Sequence, residues 1–390
     1  MTGNIWKYYI LRIFAKRLVF PILTIFLVRN NLSPTELGII FAAGTVIGLI
    51  LEVPSGVIAD RIGHKTAMLF AQSTWAMSML LFWQADQFWE FFIANAVYWI
   101  GGSLWTGTNE AFIYETMRAL KRESEIKLIT GRALLISQVS TGALFVVVPW
   151  IATYSLRLPF LLNAIACLIG AGLTTTLSAP TPSRSVAAVE GRIDRFGWRT
   201  FMRNPRLLTT GLTFGFIGGW NGILEDFRQL YLDHIQLDLA YFGLIYLALR
   251  LFTGIVGTQV ESIEQRIGAR ATFLLVPAIS LTAYIGLAMS NSLYGLLFVA
   301  LDGLQDGLTR PMEQAYLNTQ ITGTQRATLL SVFNLLTNLI RALAVLLAGF
   351  IISWSGIHAG MWFAAIGFVL IGLPLCMRFM RQILKTEPLS

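Results

Sequence analysis

Long apolar stretches recur along the whole chain and are separated by short polar connections. Each stretch is close to or above 20 residues, the length that an α-helix needs to cross the hydrocarbon core of a bilayer. The twelve stretches cover about 6–28, 35–58, 66–85, 88–113, 130–152, 157–178, 206–230, 238–260, 271–290, 293–315, 327–352 and 358–378. The pattern predicts an all-α integral membrane protein with twelve transmembrane helices, which we number as helices 1 to 12.

Basic residues are distributed unevenly between the predicted connections. If both termini are cytoplasmic, the cytoplasmic side carries 20 Lys and Arg residues, whereas the outer connections carry only Arg29 and Arg157. This is the positive-inside bias of membrane proteins. The net charge of +8 therefore reflects the topology, and we predict no nucleic-acid partner.

The sequence repeats itself at an offset of 205 residues. The segment RIGHKTAMLF at 61–70 matches RIGARATFLL at 266–275, and ELGII at 36–40 matches YFGLI at 241–245. Duplicated halves are typical of secondary transporters, in which the substrate site lies between the repeats. The predicted organisation is an N-terminal six-helix bundle at 1–178, a basic cytoplasmic linker at 179–205 and a C-terminal six-helix bundle at 206–390.

The connection between helices 2 and 3 contains a recognisable motif, GVIADRIGHK. Its residues Gly56, Asp60, Arg61, Gly63 and Lys65 resemble the loop signature of the major facilitator superfamily. The resemblance implies two pseudo-symmetric bundles around a central cavity and a carrier that works by alternating access, with this motif steadying one state. It also implies a monomer in the bacterial inner membrane, with both termini cytoplasmic and the lipid bilayer as its surroundings.

Charged residues within the predicted spans concentrate in helices 1, 4, 7 and 10, which line the cavity in the fold that the resemblance implies. Helices 3, 6, 9 and 12, which face lipid in that fold, carry no charge in their interiors. In helix 10, Asp302, Asp306 and Arg310 are spaced by four and share one face. We expect Gly303, Gly307 and the pair Arg310-Pro311 to loosen or bend this helix near its inner end.

These residues give a predicted site. Substrate binding is assigned to Lys16, Arg17, Trp105, Trp220, Asn221, Arg250, Asn338 and Arg341, and proton coupling to Glu110, Glu225, Asp226, Asp302 and Asp306. We expect Arg17 to contact an anionic part of the substrate, because its planar fork suits carboxylates, and Arg12 to reach back to the interface. The alternative for any one charge is a structural ion pair, and for the tryptophans it is packing.

Several other chemistries have no support in the sequence. Three histidines give no metal-ligand spacing, and neither a phosphate-binding loop nor a nucleophile elbow occurs. Cys167 and Cys376 lie in apolar surroundings and are interpreted as filler. We therefore predict no metal, no cofactor and no enzymatic activity.

The function predicted is secondary active transport of a polar or charged small molecule, coupled to protons, with export favoured. Proton-linked drug exporters of this superfamily often carry a glycine-proline motif in helix 5, and 137–150 reads SQVSTGALFVVVPW instead. Proton-coupled uptake of an organic anion or zwitterion therefore stays open. So does a receptor that resembles a transporter and does not transport.

Overall fold

The computed structural model describes residues 2–14, 18–179, 201–320 and 326–382, and for 326–328 it describes the backbone alone. All regular secondary structure in these ranges is helical. The α-helices are α1 (Gly3–Phe14), α2 (Leu23–Arg29), α3 (Pro34–Ile62), α4 (His64–Gln84), α5 (Phe88–Trp105), α6 (Thr108–Ala119), α7 (Ile126–Tyr154), α8 (Leu158–Thr175), α9 (Pro205–His234), α10 (Phe242–Ile267), α11 (Ala269–Met289), α12 (Gly295–Gln320), α13 (Arg326–Gly367) and α14 (Leu373–Gln382).

Six helical stretches of the described residues are long and apolar enough to cross a membrane by themselves. They are Pro34–Ile62, Glu123–Tyr154, Leu158–Thr175, Leu239–Ile267, Ala269–Met289 and Leu329–Gln382. The other predicted spans are interrupted or are richer in polar side chains, as in α12 with Asp302, Asp306 and Arg310. Polar helices of this kind are tolerated in a membrane where their polar faces are turned to protein or to water.

Two predicted spans are broken in the structure, and the prediction of a continuous helix was wrong for both. Helix 1 consists of α1 and α2, with a 3-10 turn at Phe20–Ile22 that contains Pro21. Helix 4 ends as α5 at Trp105 and resumes as α6 at Thr108, because Gly107 has a φ of 77°. Hydropathy averages composition over a window and therefore does not detect a short break within an apolar stretch.

The repeat seen in the sequence is present in the backbone at the same offset of 205. The helical stretches Pro34–Ile62 and Leu239–Ile267 both have 29 residues, and α4 and α11 both have 21. Gly63 and Gly268 begin these second helices with φ values of 86° and 83°. A glycine is suited to this left-handed position because it has no Cβ.

The described residues divide into two compact units. The first contains the described residues of 2–31, 43–179 and 239–243, and the second contains those of 32–42, 201–238 and 244–382. In the first unit α4 packs on α5 and α8, with Met68, Trp75 and Phe112 in the core. In the second unit the main packing is between α9 and α13. The bundle boundaries at 178 and 206 stay a prediction.

The N-terminal helix is fastened to the end of α8 within the first unit. The Asn4 amide donates to the carbonyl of Ser178 at 2.8 Å, and the Ser178 N–H donates back to Asn4 Oδ1 at 3.0 Å. Lys7 Nζ and Lys65 Nζ donate to the last carbonyls of α8 at 2.6 and 2.7 Å. Ammonium groups are favoured there because the carbonyls at a helix end lack partners and carry partial negative charge.

Candidate functional site

Arg341 of α13 bridges two carboxylates of α9. Its Nη1 contacts Glu225, and its Nη2 donates to Asp226 Oδ1 at 2.9 Å. Adjacent residues of a helix point about 100° apart, so one point charge could not serve both well. A planar guanidinium with two separate N–H groups can do so. About a quarter of the Arg341 side chain is exposed, which leaves it accessible to a ligand.

A second ion pair joins α9 to α12 and is more deeply buried. Arg228 donates to Asp302 Oδ2, and the two side chains are only 6% and 9% exposed. The Arg228 guanidinium also lies 5.3 Å from the centre of the Tyr246 ring, whose hydroxyl accepts a hydrogen bond from Gln229. Removal of either partner would leave a buried charge uncompensated, which is the costly state.

Two buried oxygens of α9 and α12 lack a hydrogen-bond partner among the described residues. They are Oδ1 of Asp302 and Oδ1 of Asn221. Buried polar atoms of folded proteins are nearly always hydrogen-bonded, so each such atom calls for an explanation. A carboxylate and an amide oxygen accept hydrogen bonds. They therefore suit a proton or a ligand that carries N–H or O–H groups.

Asp306 and Arg310 form a third pair, within one turn of α12. Arg310 Nη2 lies 2.8 Å from Asp306 Oδ2, and the Arg310 side chain is 70% exposed. Arg250 of α10 and Glu313 of α12 lie within electrostatic reach of Arg310. The group of charges in this unit comprises five carboxylates (Glu225, Asp226, Asp302, Asp306, Glu313) and four guanidinium groups (Arg228, Arg250, Arg310, Arg341). When all five carboxylates are ionised and all four guanidinium groups are charged, this group of residues carries one excess negative charge.

Glycines of α9 let α13 approach closely enough for Arg341 to reach its partners. A Cβ on Gly219 would lie 2.6 Å from the carbonyl oxygen of Thr337, and one on Gly222 would lie 2.7 Å from Cγ of Arg341. A real Cβ hardly ever comes that close, so the two helices would have to separate. These glycines therefore position the Arg341 guanidinium.

Replacing Gly219 by Ala is expected to lower stability by about 1–3 kcal/mol, the usual cost of overpacking. Gly218→Ala is the matched control, because its Cβ would meet only Thr337 Cγ2, at an ordinary 3.6 Å. Thermal unfolding of the purified variants in detergent measures the difference. Equal midpoints for the two variants would contradict the close contact.

Two glycines of α12 lie against the backbone of α10. A Cβ on Gly303 would lie 2.8 Å from the carbonyl of Leu249, and one on Gly307 would lie 2.9 Å from that of Thr253. The helix is continuous from 295 to 320. These glycines allow α12 to pack closely on α10, and the expectation that they loosen or bend the helix stays a prediction.

The predicted aromatic residues are packing residues in the structure. Trp105 is buried in the core of the first unit, with its ring centre 5.5 Å from that of Trp75. Trp220 donates its indole N–H to the carbonyl of Ala364 at 2.9 Å and stacks on Phe216. This is the packing alternative considered for both, and we leave both out of the proposed site.

The other predicted binding residues have different surroundings. Lys16 and Arg17 lie outside the described residues. Asn338 is half-buried on α13 and Arg250 is exposed on α10. Glu110 is exposed in the first turn of α6, directly after the break at Gly107.

Arg12 belongs to a polar contact between α1 and α6 within the first unit. Its Nη1 donates to Asn109 Oδ1 at 3.1 Å, and the Tyr8 hydroxyl lies 3.3 Å from the same oxygen. The expectation that Arg12 reaches back to the membrane–water interface stays a prediction. The break before α6 places Asn109 in its first turn, and sequence analysis missed this residue because it has no charge.

The loop motif between α3 and α4 has both exposed and half-buried members. Asp60 and Arg61 are exposed, as is Gly56, around which a Cβ would meet nothing within 4 Å. Gly63 makes the turn into α4, and the half-buried Lys65 binds the end of α8. The surroundings of Gly63 and Lys65 give both a structural role, and the gating role of the motif stays a prediction.

The comparisons with known proteins agree with this architecture. The family model for the Major Facilitator Superfamily matches residues 6–301 and 223–388. The nucleoside transporter NupG superposes with a TM-score of 0.81 at 14% identity, covering 97% of this chain and 98% of that one. A bacterial homolog of the human lysosomal transporter Spinster gives 0.76 at 13% identity, covering 98% and 97%. At these identities the likeness shows the fold alone.

Two relatives match at the level of sequence. The uncharacterized MFS-type transporter YqjV of Bacillus subtilis (strain 168) is 26% identical over 45% of this chain and 44% of its own. The inner membrane transport protein YajR of Escherichia coli (strain K12) is 25% identical over 55% of this chain and 46% of its own. The chain thus matches less than half the length of either relative. Since the family model covers nearly every residue, the chain is a multi-pass membrane protein that belongs to the Major Facilitator Superfamily.

Proposed function

We propose that the protein is a secondary active transporter that exchanges protons for a small molecule bearing a positively charged or N–H-rich group. The observation that carries the proposal is the buried pair of Arg228 and Asp302, beside two acceptor oxygens without a partner among the described residues. A buried carboxylate can bind a proton at one time and a ligand at another if one of its oxygens has no hydrogen-bond partner and its ion pair can separate. Asp302 is the proposed proton carrier, and Asp306 is its less buried neighbour.

The excess of one negative charge supports antiport. One bound proton neutralises the group of charges, and so does one cationic substrate group. Two species that neutralise the same charge exclude each other, so a proton that enters displaces a substrate that leaves. This argument favours export, and it assigns Asn221, Asn338 and Arg341 to the polar part of the substrate. Glu225 and Asp226 hold the Arg341 fork in place.

Transport by alternating access requires two states of similar free energy, and we propose that the motif at 56–65 sets their balance. A few kcal/mol suffice to shift such a balance almost completely. We further propose that the protein acts as a monomer in the bacterial inner membrane, with both termini cytoplasmic, as the bias of basic residues indicates.

Asp60→Asn is expected to reduce transport about tenfold or more while membrane insertion and the unfolding midpoint stay unchanged. Asp60 is exposed, so the loss of its charge leaves the packing of the unit intact. Asp86→Asn makes the same chemical change at an exposed ion pair with Arg157, and it serves as control. If Asp60→Asn transports at the rate of the wild type, a gating role for Asp60 is contradicted.

The function itself is tested by flux in proteoliposomes. The purified protein is reconstituted and offered cationic, zwitterionic and anionic compounds under an imposed pH gradient, with a protonophore and a sodium gradient as controls. Antiport predicts that a cationic compound moves against the proton flow and that the protonophore abolishes this movement. Movement of an anion or zwitterion with the protons would favour the uptake symporter. Saturable binding without flux would favour a receptor.

A further inference from the structure

Two of the three histidines of the chain meet in the second unit, although 124 residues separate them. His234 is the last residue of α9, and His358 follows the turn at Gly356 within α13. Their Nε2 atoms lie 3.0 Å apart, and the rings are nearly perpendicular. None of the charged residues proposed for transport takes part in this contact.

The surroundings of His358 fix which of its nitrogens carries the proton. Its Nδ1 lies 3.1 Å from the carbonyl oxygen of Leu287. That carbonyl lies in the last turn of α11, where no helical N–H is available to it. The carbonyl can only accept, so Nδ1–H donates, and in the neutral ring the lone pair of Nε2 points toward His234. Metal-binding histidines are typically oriented in this way by a second hydrogen bond.

A packed tyrosine holds the His358 ring in this position. The Tyr231 ring lies edge-to-face against it, with 6.4 Å between ring centres, and the Tyr231 hydroxyl donates to the carbonyl of Ser290 at 3.0 Å. Gly295 lies against this hydroxyl, where a side chain would collide with it. The ring orientation is therefore set by the fold and does not depend on the contact with His234.

A third acceptor atom lies beside Nε2 of His234. Asn291 Oδ1 lies 3.2 Å from Nε2 of His234. If that nitrogen carries a proton, its one N–H can be directed well at either Asn291 or His358, and not at both. A cation placed among the three atoms would instead accept a lone pair from each of them.

We propose that His234, His358 and Asn291 bind a divalent transition-metal ion of the kind that imidazole favours, such as Zn²⁺. Two imidazole nitrogens on a tetrahedral zinc ion lie about 3.3 Å apart, given Zn–N bonds of about 2.0–2.1 Å. The observed 3.0 Å needs an opening of only a few tenths of an ångström. His234 is exposed, so solvent can complete the coordination. No three His, Cys, Asp or Glu side chains of the described residues form a metal site, and the third ligand here is accordingly an amide.

No metal site was predicted from the sequence, because the three histidines do not occur at ligand spacing along the chain. Imidazole ligands suit zinc, copper and nickel, whereas calcium and magnesium prefer oxygen. The site should therefore discriminate between these two classes of ion. A bound ion would join the end of α9 to the segment 287–291 and to His358, and so stabilise this end of the unit.

The test is equilibrium titration of the purified full-length protein, prepared with an affinity tag that contains no histidine. Co²⁺ is followed by its visible absorption and Zn²⁺ by competition with a chromophoric chelator. We expect one saturable ion per chain, and a loss of affinity of at least about tenfold in His234→Ala and in His358→Ala. His64→Gln is the control, because this third histidine contacts Glu115 at 3.3 Å in the first unit. The His64→Gln variant should bind the ion as tightly as the wild type does, and Ca²⁺ should not compete with Co²⁺ or Zn²⁺ for the site.

Thermal unfolding keeps the test valid if one variant folds poorly. His234 is exposed, so its replacement should preserve the fold. If His358→Ala does not fold because it loses the hydrogen bond to Leu287, His234→Ala alone tests the metal site. Zn²⁺ should raise the unfolding midpoint of the wild type and of His64→Gln, but not that of His234→Ala. The proposal is overturned if the wild type binds no ion, or if His234→Ala binds it as tightly as the wild type does. Either result would leave the two histidines as a hydrogen-bonded pair.

Discussion

Replacing Asp302 by Asn is expected to make transport independent of the pH gradient while exchange of substrate across the membrane continues. The amide cannot take up and release a proton, yet its oxygen can still accept the hydrogen bond from Arg228. Because the Arg228 charge then lacks its counterion, the fold should also lose stability, by up to the roughly 3–5 kcal/mol that breaking a buried pair costs. The measurement is flux in proteoliposomes with and without an imposed pH gradient, with Asp86→Asn as control.

A double variant distinguishes the role of Asp302 in proton coupling from the contribution of its ion pair with Arg228 to stability. Arg228→Gln alone leaves the Asp302 carboxylate buried without its cation, so it should also be less stable than the wild type, by up to about 3–5 kcal/mol. Arg228→Gln combined with Asp302→Asn removes both charges and should regain much of that stability without regaining the response to the pH gradient. If Asp302→Asn transports with an unaltered pH dependence, Asp302 carries no proton and the pair is structural.

Replacing Arg341 by Lys is expected to lower the rate of transport at least about tenfold, although the charge is kept. A lysine ammonium is a single point charge and cannot hold Glu225 and Asp226 in the way that the fork does. Arg341→Gln should have the larger effect, because it leaves these two carboxylates side by side without their cation, and like charges repel. Flux and substrate binding are to be measured on both variants.

The control for Arg341 is Arg122→Gln, which removes a guanidinium from an exposed pair with Glu125 at 2.6 Å. Exposed pairs contribute about 0–1 kcal/mol, so transport by this control should match the wild type. If Arg341→Lys transports at the normal rate, the fork geometry is unimportant, and Arg341 neither positions nor binds the substrate.

Much of the fold could be predicted because it depends on local composition. The offset of 205 found in two short motifs recurs in the bounds of the helical stretches Pro34–Ile62 and Leu239–Ile267 and in those of α4 and α11, since a duplicated sequence reproduces its turns and helix ends. The breaks at Pro21 and Gly107 were not predicted, because single turn residues inside an apolar run change its mean hydropathy little.

The partners within the candidate site were harder to predict. Asp306 and Arg310 could be paired from the sequence, because they are four residues apart on one helix. Arg228 and Asp302 are 74 residues apart, and their pairing depends on how α9 packs on α12. The close approach of α9 to α13 depends on which of its many glycines meets a backbone atom, and the sequence does not distinguish Gly219 from Gly218 in this respect.

The fastening of α1 to the end of α8 has a consequence for the synthesis of the protein. Asn4 and its partner Ser178 are 174 residues apart, and Arg12 lies 97 residues before Asn109. At about 5–20 residues per second, a ribosome takes roughly 9–35 s to make the chain between Asn4 and Ser178. The contacts of Asn4 and Arg12 can therefore form only after the later helices have been made, and until then the polar groups of these two side chains must be satisfied by other partners, such as water.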